Sequence, residues 1–195
     1  MPSRSDDPFG AALDDALSAV LAAVRALPDP RPRIVIDGRS GSGKTTLAAR
    51  LAASWPDAAP PIVVAMDDFY PGWDGLAAAS WLLASDILAP HAQGRPGSYP
   101  RWDWESDRPR AGDRGTVPAR GALIAEGCGA LTPLTRPYAD LGVWVDAPEA
   151  SRRRRALERD GDGYAPHWER WAAQERAHIA QHRPAELADL VFRLP

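Results

Sequence analysis

The segment from Gly38 to Thr45 constrains this 195-residue chain more than any other feature, because it fits the pattern G-x-x-x-x-G-K-[ST]. The β-branched run at 33–37 before it is typical of a buried strand, and the alanine-rich run at 45–55 after it is typical of a helix. Glycines allow a tight loop whose backbone N–H groups point inward, and the helix that begins there adds partial positive charge. A strand, a glycine loop and a helix in this order predict a site that binds phosphate groups.

Lys44 stands out within this loop because it is the only lysine among 23 basic residues. A chain that otherwise uses arginine keeps lysine where a compact ammonium is required. The motif predicts that Lys44 contacts the β- and γ-phosphates of ATP or another nucleoside triphosphate, and that the Thr45 hydroxyl ligates Mg²⁺. The residues expected to bind the nucleotide through this loop are Gly38, Arg39, Ser40, Gly41, Ser42, Gly43, Lys44, Thr45 and Thr46.

The overall composition excludes several classes of protein. A net charge of −3 gives no general attraction to nucleic acid, and the longest uncharged stretch, 75–85, is far shorter than the ~20 residues that span a bilayer. Asp6 and Asp7 stand where a signal peptide would be basic, and the single cysteine, Cys128, excludes an intrachain disulfide. We expect one cytoplasmic domain over residues 1–195, without membrane or nucleic-acid partners, and homo-oligomer formation stays open.

Predicted strands alternate with predicted helices along most of the chain, and several of the strands are apolar throughout. Such strands are typical of a parallel sheet covered on both faces, which binds ligands beyond the carboxyl ends of its strands. The predicted strands are 33–37, 62–66, 122–125, 141–145 and 190–192, and the predicted helices are 6–27, 45–55, 75–88, 148–159 and 166–182. Residues 1–32 then form an N-terminal helix and a Pro-rich linker, whereas 89–118 has no clear period and is predicted to be a long functional loop on the acceptor side.

Two aspartates, Asp67 and Asp68, follow the second predicted strand at the edge where ligands bind. A carboxylate there could accept the proton of a hydroxyl that attacks the γ-phosphate, or it could cap the next turn. Together with the phosphate loop, Asp67-x-Phe69-Tyr70 resembles the uridine kinase group of P-loop nucleoside and nucleotide kinases. The resemblance implies that Asp67 is the catalytic base and that Tyr70 contacts the acceptor, with Asp68 open as the alternative base.

Two further segments carry this resemblance. The predicted strand 122–125 runs into Glu126-Gly127, which is similar to the family's strand ending in Glu-Gly and implies that Glu126 lies beside the magnesium ion. The segment 99–104, Tyr-Pro-Arg-Trp-Asp-Trp, is similar to one that lines the family's nucleoside pocket. By that likeness the residues that contact the acceptor are Tyr99, Arg101, Trp102 and Asp103. The alternative for Trp102 and Trp104 is a hydrophobic clasp that holds the loop on the core.

Four consecutive arginines begin at Arg152 in the predicted helix 148–159. They cannot all face one site, because successive helical residues turn by about 100°. The arginines that share a face are Arg152, Arg155 and Arg159, and those expected in solvent are Arg153 and Arg154. The shared face resembles the lid helix of the same kinases, which implies that Arg155 and Arg159 act in catalysis and that Arg152 binds the nucleotide. Arg154 is the alternative to Arg155.

The region after these arginines is expected to move. We predict a lid over 152–166 with a flexible hinge at 160–163. In the helix that follows, one stripe carries Trp168, Trp171, Glu175, His178 and His182. Without a third ligand in reach of the two histidines, this stripe favours core packing over a metal site.

The resemblance as a whole implies an α/β fold of the three-layer P-loop NTPase type. This fold has five parallel strands in the order 2-3-1-4-5, helices on both faces and a small lid. The implied activity is that of an ATP- and Mg²⁺-dependent kinase that phosphorylates a hydroxyl of a nucleoside or nucleotide-like acceptor. The alternatives are a kinase for another small metabolite, such as a vitamin or sugar phosphate, a non-catalytic nucleotide-binding module, and an NTP hydrolase.

Overall fold

The structure, a computed structural model, describes residues 7–195 apart from the side chain of Asp162. The predicted start of the first helix, Asp6, lies outside the described residues. The strands are β1 (Arg33–Gly38), β2 (Ile62–Ala65), β3 (Gly97–Asp103), β4 (Arg108–Val117), β5 (Leu123–Gly127), β6 (Leu141–Asp146) and β7 (Leu190–Arg193). The helices are α1 (Pro8–Ala26), α2 (Lys44–Ala53), α3 (Leu76–Leu82), α4 (Ala89–Ala92), α5 (Glu149–Asp160), α6 (Trp168–His182) and α7 (Pro184–Leu187). A π-helical stretch, Leu83–Leu88, joins α3 to α4, and 3₁₀ turns occupy Met66–Asp68, Arg136–Tyr138, Gly161–Gly163 and Ala165–His167.

Five strands form a parallel sheet in the spatial order β2-β5-β1-β6-β7. Counted within this sheet alone, that is the predicted order 2-3-1-4-5, so the predicted α/β fold is confirmed. The register aligns Asp37 of β1 with Gly127 of β5, and Ile36 with Glu126. Glu126 therefore lies at the edge of the sheet where the phosphate loop begins.

Helices cover both faces of the sheet, because alternate residues of the central strand are apolar on both sides. Ile34 and Ile36 of β1 belong to the core that includes residues of α1 and α2, whereas Val35 belongs to the core that includes residues of α3 and α6. All three side chains are fully buried. Such burial requires near-continuous apolar strands, which is the pattern visible in the sequence. Among the described residues, no helix combines the length and the apolarity needed to cross a membrane.

The stretch 89–118, predicted to be an irregular loop, is instead mostly regular. Its first residues form α4, and β3 and β4 pair as an antiparallel hairpin outside the main sheet. Two features explain why the sequence pattern did not predict these strands. The pairing register shifts between Pro100 and Trp102, which breaks the alternation of side chains, and almost all of β4 is exposed, with only Gly115 and Val117 buried.

Candidate active site

The phosphate loop joins β1 to α2, and two glycines determine its shape. Gly41 and Gly43 have φ angles of +74° and +105°, in the left-handed region that other residues rarely adopt. A Cβ atom at Gly41 would also collide with the backbone carbonyl oxygen of Arg152. Because α2 begins at Lys44, the unpaired N–H groups of its first turn and the positive end of its dipole lie at the loop.

The charged end of the site is formed by Lys44, Thr45 and Glu126. Lys44 is only 5% exposed, and burial by itself would lower its pKa. The neighbouring acidic groups Cys128, Glu126 and Asp67 outweigh burial and hold the pKa of Lys44 above its ordinary value. The Thr45 hydroxyl donates to Glu126 Oε2 at 3.1 Å. Burial raises the pKa of the Glu126 carboxyl, and the Lys44 ammonium opposes that shift.

The contact between Thr45 and Glu126 suits a magnesium ion, because hydroxyl and carboxylate oxygens are the hard ligands that Mg²⁺ prefers. Such an ion would complete its coordination with phosphate oxygens and water. Within residues 7–195, no three His, Cys, Asp or Glu side chains cluster closely enough to hold a metal ion by themselves. The residues present therefore fit a metal that arrives with a nucleotide.

A cavity of about 560 Å³ connects the phosphate loop to the hairpin. Its polar lining residues are Ser40, Lys44, Thr45, Asp67, Cys128, Arg159 and Asp160, and its aromatic lining residues are Tyr70, Trp73, Trp104, Tyr164 and Trp171. Lys44 and Thr45 belong to the loop, whereas Trp104 follows β3 in the turn of the hairpin. One space is thus bounded by phosphate-binding groups and by aromatic rings.

The two aspartates after β2 have different surroundings. Asp67 lines the cavity, and its backbone carbonyl accepts a hydrogen bond from Trp104 Nε1 at 2.8 Å. Asp68 lies outside the cavity lining, where it pairs with Arg101 at 3.3 Å and accepts from the Tyr99 hydroxyl at 3.4 Å. The geometry therefore favours Asp67 over Asp68 as the carboxylate that an acceptor would meet.

The aromatic wall of the cavity includes Tyr70, which the resemblance assigns to the acceptor, but its other members were not predicted to contact the acceptor. Trp73 lies at its centre, with ring centroids 4.7 Å from Trp104 and 5.4 Å from Tyr164, the latter with planes only 12° apart. His167 stacks on Trp73 at 4.2 Å. Tyr70 contributes its ring, packed edge-on against Trp171, while its hydroxyl donates to the backbone carbonyl of Cys128. For Trp104, the structure places the indole both against Trp73 and in the cavity.

The four residues predicted to contact the acceptor from segment 99–104 do not line the cavity. Tyr99 is buried in the core, and Arg101 is engaged by Asp68 and by Asp113. Asp103 accepts hydrogen bonds from the turn that closes the hairpin, and the indole of Trp102 lies against Gly72. Trp104 lies beyond the end of β3, in the turn of the hairpin, and it is this indole that bonds to the backbone of Asp67 and lines the cavity.

The predicted lid arginines separate into different environments. Arg159 lines the cavity and forms a bidentate ion pair with Asp160. Its Nε donates to Asp160 Oδ1 at 2.7 Å, and its NH2 donates to Asp160 Oδ2 at 2.6 Å. Arg155 donates to the carbonyl of Gly41 and lies over the ring of Phe9. It also lines a second cavity of about 130 Å³, whose other lining residues include Gly43, Lys44, Thr45 and Thr46. Arg153 and Arg154 are exposed, as predicted.

Arg152 is fully buried behind the phosphate loop rather than in either cavity. Its Nε donates to the carbonyl of Ala147 at 3.0 Å, and its NH1 donates to the carbonyl of Ser40 at 3.1 Å. The prediction that Arg152 contacts the nucleotide directly therefore finds no counterpart in the geometry. The helical spacing predicted which face of α5 carries Arg152, but this face packs against the back of the phosphate loop rather than against a nucleotide site.

Replacing Arg152 with methionine is expected to lower the free energy of unfolding by about 3 kcal/mol, because it removes one of the two guanidinium groups beside the buried carboxylate of Glu175 and leaves the carbonyls of Ala147 and Ser40 without this donor. Urea denaturation followed by circular dichroism measures this. The matched control is Arg153→Met on the exposed face, which is expected to change the free energy by no more than about 0.5 kcal/mol. Equal effects of the two substitutions would contradict the structural role of Arg152.

A glycine-rich loop between the central strand and a helix, with a buried lysine and an acid on the neighbouring strand, defines a P-loop protein. No protein-family model matches the sequence, and no curated protein does so either. Solved structures do match the fold. A possible uridine kinase from Bacillus stearothermophilus is 22% identical and has a TM-score of 0.67, with 92% of this chain and 98% of that one covered.

Two further kinases share this architecture. A provisionally named fructose transport system kinase from Silicibacter sp. TM1040 is 26% identical with a TM-score of 0.62, and 90% of this chain and 98% of that one are covered. D-glycerate 3-kinase from Cryptococcus neoformans is 12% identical with a TM-score of 0.50, over 88% of each chain. The chain therefore has the fold of P-loop kinases and resembles their uridine kinase-like members.

Proposed function

We propose that this protein is a kinase that transfers the γ-phosphoryl group of ATP, or of another nucleoside triphosphate, to a hydroxyl group of a small nucleoside-like acceptor. The observation that supports this most strongly is the composition of one cavity. Lys44 and Thr45 of the phosphate loop, the carboxylate-bearing Asp67 and the aromatic wall all line the same 560 Å³ space. A site that only hydrolysed or sensed a nucleotide would not need the second, aromatic half.

Each lining residue has a role in such a transfer. Lys44 and the N–H groups of the loop hold the β- and γ-phosphates, and Thr45 and Glu126 hold Mg²⁺, which when bound supplies positive charge beside those phosphates. Asp67 accepts the proton of the acceptor hydroxyl while the oxygen of that hydroxyl bonds to the γ-phosphorus. The bond from that phosphorus to the bridging oxygen breaks, and ADP leaves. Arg159 stabilises the negative charge on the transferring group.

The charges of the cavity favour an acceptor that carries no phosphate. Among the described residues that line the cavity, the cations are Lys44 and Arg159, and both are assigned to the transferring phosphates. Arg101 lies outside the cavity lining, where it pairs with Asp68 and Asp113. A phosphate on the acceptor would therefore face the carboxylate of Asp67 without a cation of its own. A flat ring packed on indoles meets no such penalty.

The experiment is a phosphoryl-transfer screen with ATP and Mg²⁺ over nucleosides, their monophosphates, sugar phosphates and vitamin alcohols, read by ADP release and product mass. We expect ADP release that depends on an unphosphorylated ring-bearing acceptor, and a kcat/KM at least about tenfold lower for its phosphorylated counterpart, the effect of about 1.4 kcal/mol. ADP release without any acceptor indicates a hydrolase. Tight ATP binding without ADP release indicates a nucleotide-binding module.

Replacing Trp104 with alanine is expected to raise the KM for the acceptor about tenfold while the KM for ATP stays unchanged, because loss of one stacking ring costs about 1–3 kcal/mol. Trp104→Phe keeps an aromatic face and is expected to recover most of the affinity. The control is Trp81→Ala, since Trp81 is 58% exposed on α3 and lies outside the cavity. An unchanged acceptor KM in Trp104→Ala would remove the aromatic wall from the acceptor site.

A further inference from the structure

Glu175 is a buried carboxylate that the proposed reaction does not use. It lies on α6 and is only 2% exposed. Its Oε1 accepts the backbone N–H of Ser40 at 2.5 Å and the thiol of Cys128 at 3.4 Å. Ser40 is the third residue of the phosphate loop, so a helix distant in sequence contacts the backbone of the loop from behind.

Both backbone groups of Ser40 are held by buried charged side chains. Its N–H donates to Glu175, and its carbonyl accepts from Arg152 NH1 at 3.1 Å. The second carboxylate oxygen, Oε2, lies 3.5 Å from Arg39 Nε and 3.8 Å from Arg152 NH1. The carboxylate thus has two guanidinium groups around it and one charge-assisted hydrogen bond to the loop. Bonds of this type are stronger than those between neutral groups.

The same face of α6 contacts the chain just before the loop. His178 Nε2 lies 2.9 Å from Asp37 Oδ2, and Asp37 accepts the N–H groups of Gly129 and Leu131. Asp37 precedes the loop and Ser40 lies within it, so α6 fixes the chain at both points. A residue that served packing alone would be apolar, because burying a carboxylate costs free energy.

We propose that Glu175 is a positioning residue of the phosphate loop. Its carboxylate fixes the peptide group before Ser40 and thereby holds the rest of the loop in the conformation that receives the phosphates. It touches neither nucleotide nor acceptor and acts through Ser40. This positioning role of Glu175 depends on the proposed function only when it is tested through nucleotide binding. We expect the loss of Glu175 to change the affinity for the nucleotide rather than the affinity for the acceptor.

The experiment compares Glu175→Ala and Glu175→Gln with the same substitutions at Glu169, which is exposed on the first turn of the same helix. Hydrogen–deuterium exchange of the segment 38–43 is measured without nucleotide, and ATP·Mg affinity is measured by calorimetry. In Glu175→Ala we expect faster exchange confined to this segment and an ATP Kd about tenfold higher, the size of a lost hydrogen bond to a charged group. The KM for the acceptor is expected to stay within about twofold, since the aromatic wall is untouched.

Glu175→Gln keeps an oxygen for Ser40 but loses the charge that Arg39 and Arg152 require, so we expect changes in the same direction and smaller. This nearly isosteric variant decides the question if the alanine variant fails to fold. Exchange and ATP affinity equal to the wild type in Glu175→Gln, or faster exchange spread evenly over α6 and the sheet, would overturn the positioning role. If wild-type protein binds no ATP, the proposed function fails, and the exchange comparison still decides the role of Glu175.

Discussion

Replacing Lys44 with alanine is expected to lower kcat/KM for ATP about 10³-fold or more, because a preorganised cation at a transferring phosphoryl group contributes effects of this size. Lys44 is the only lysine of the chain, it is 5% exposed, and it lines both cavities. We also expect weaker ATP·Mg binding, since the same ammonium contacts the ground-state triphosphate. Steady-state ADP release and a calorimetric titration measure the two effects separately.

Two further variants make the Lys44 result specific. Lys44→Arg keeps the charge but is expected to be nearly as inactive, because a planar guanidinium fork does not reproduce the compact point charge of the buried ammonium. Arg153→Ala removes a positive charge from the exposed face of α5 and is expected to leave both readouts unchanged. Turnover of Lys44→Ala within a few-fold of the wild type would remove the phosphate-loop assignment.

Replacing Asp67 with asparagine is expected to lower kcat by about 10²-fold or more, the size of a lost general base, while the Kd for ATP stays the same. The substitution keeps the shape of the side chain and removes its ability to take a proton. It also leaves the backbone carbonyl that accepts from Trp104 in place. Single-turnover transfer from ATP to the acceptor measures the effect, because product release does not limit that rate.

Asp68→Asn is the matched control for Asp67, one residue along the chain. Asp68 is held by Arg101 and Tyr99 outside the cavity lining, so we expect its loss to change kcat by less than about threefold, as for residues that do not contact the reacting groups. If Asp68→Asn is instead the more damaging change, the base lies at Asp68 and the proposed chemistry keeps its form with a different residue.

The sheet and the phosphate loop could be predicted because local patterns encode them. The five strands of the sheet contain short apolar runs, and the loop combines glycines that need positive φ angles with a lysine in a chain of arginines. The carboxyl ends of parallel strands meet at one edge, so Asp67 and Glu126 could be expected near Lys44 without any knowledge of contacts.

The acceptor wall and the back of the loop could not be predicted in the same way. The aromatic wall comes from three parts of the chain that are far apart in sequence, which carry Trp73, Trp104, and Tyr164 together with Trp171. None of these parts alone indicates a shared cavity. For Arg152 and Glu175, helical periodicity identifies the face on which each lies. It does not tell whether that face meets solvent, a ligand or a buried backbone group, since this depends on how α5 and α6 pack.

Three indoles around one cavity give the protein an optical signal of its own. Trp73, Trp104 and Trp171 line the space that we assign to the acceptor, and each contacts another aromatic ring. A molecule that displaces water from these rings is expected to shift their fluorescence emission to shorter wavelength. Unlabelled protein can therefore be titrated with candidate compounds directly, even under conditions in which no turnover occurs.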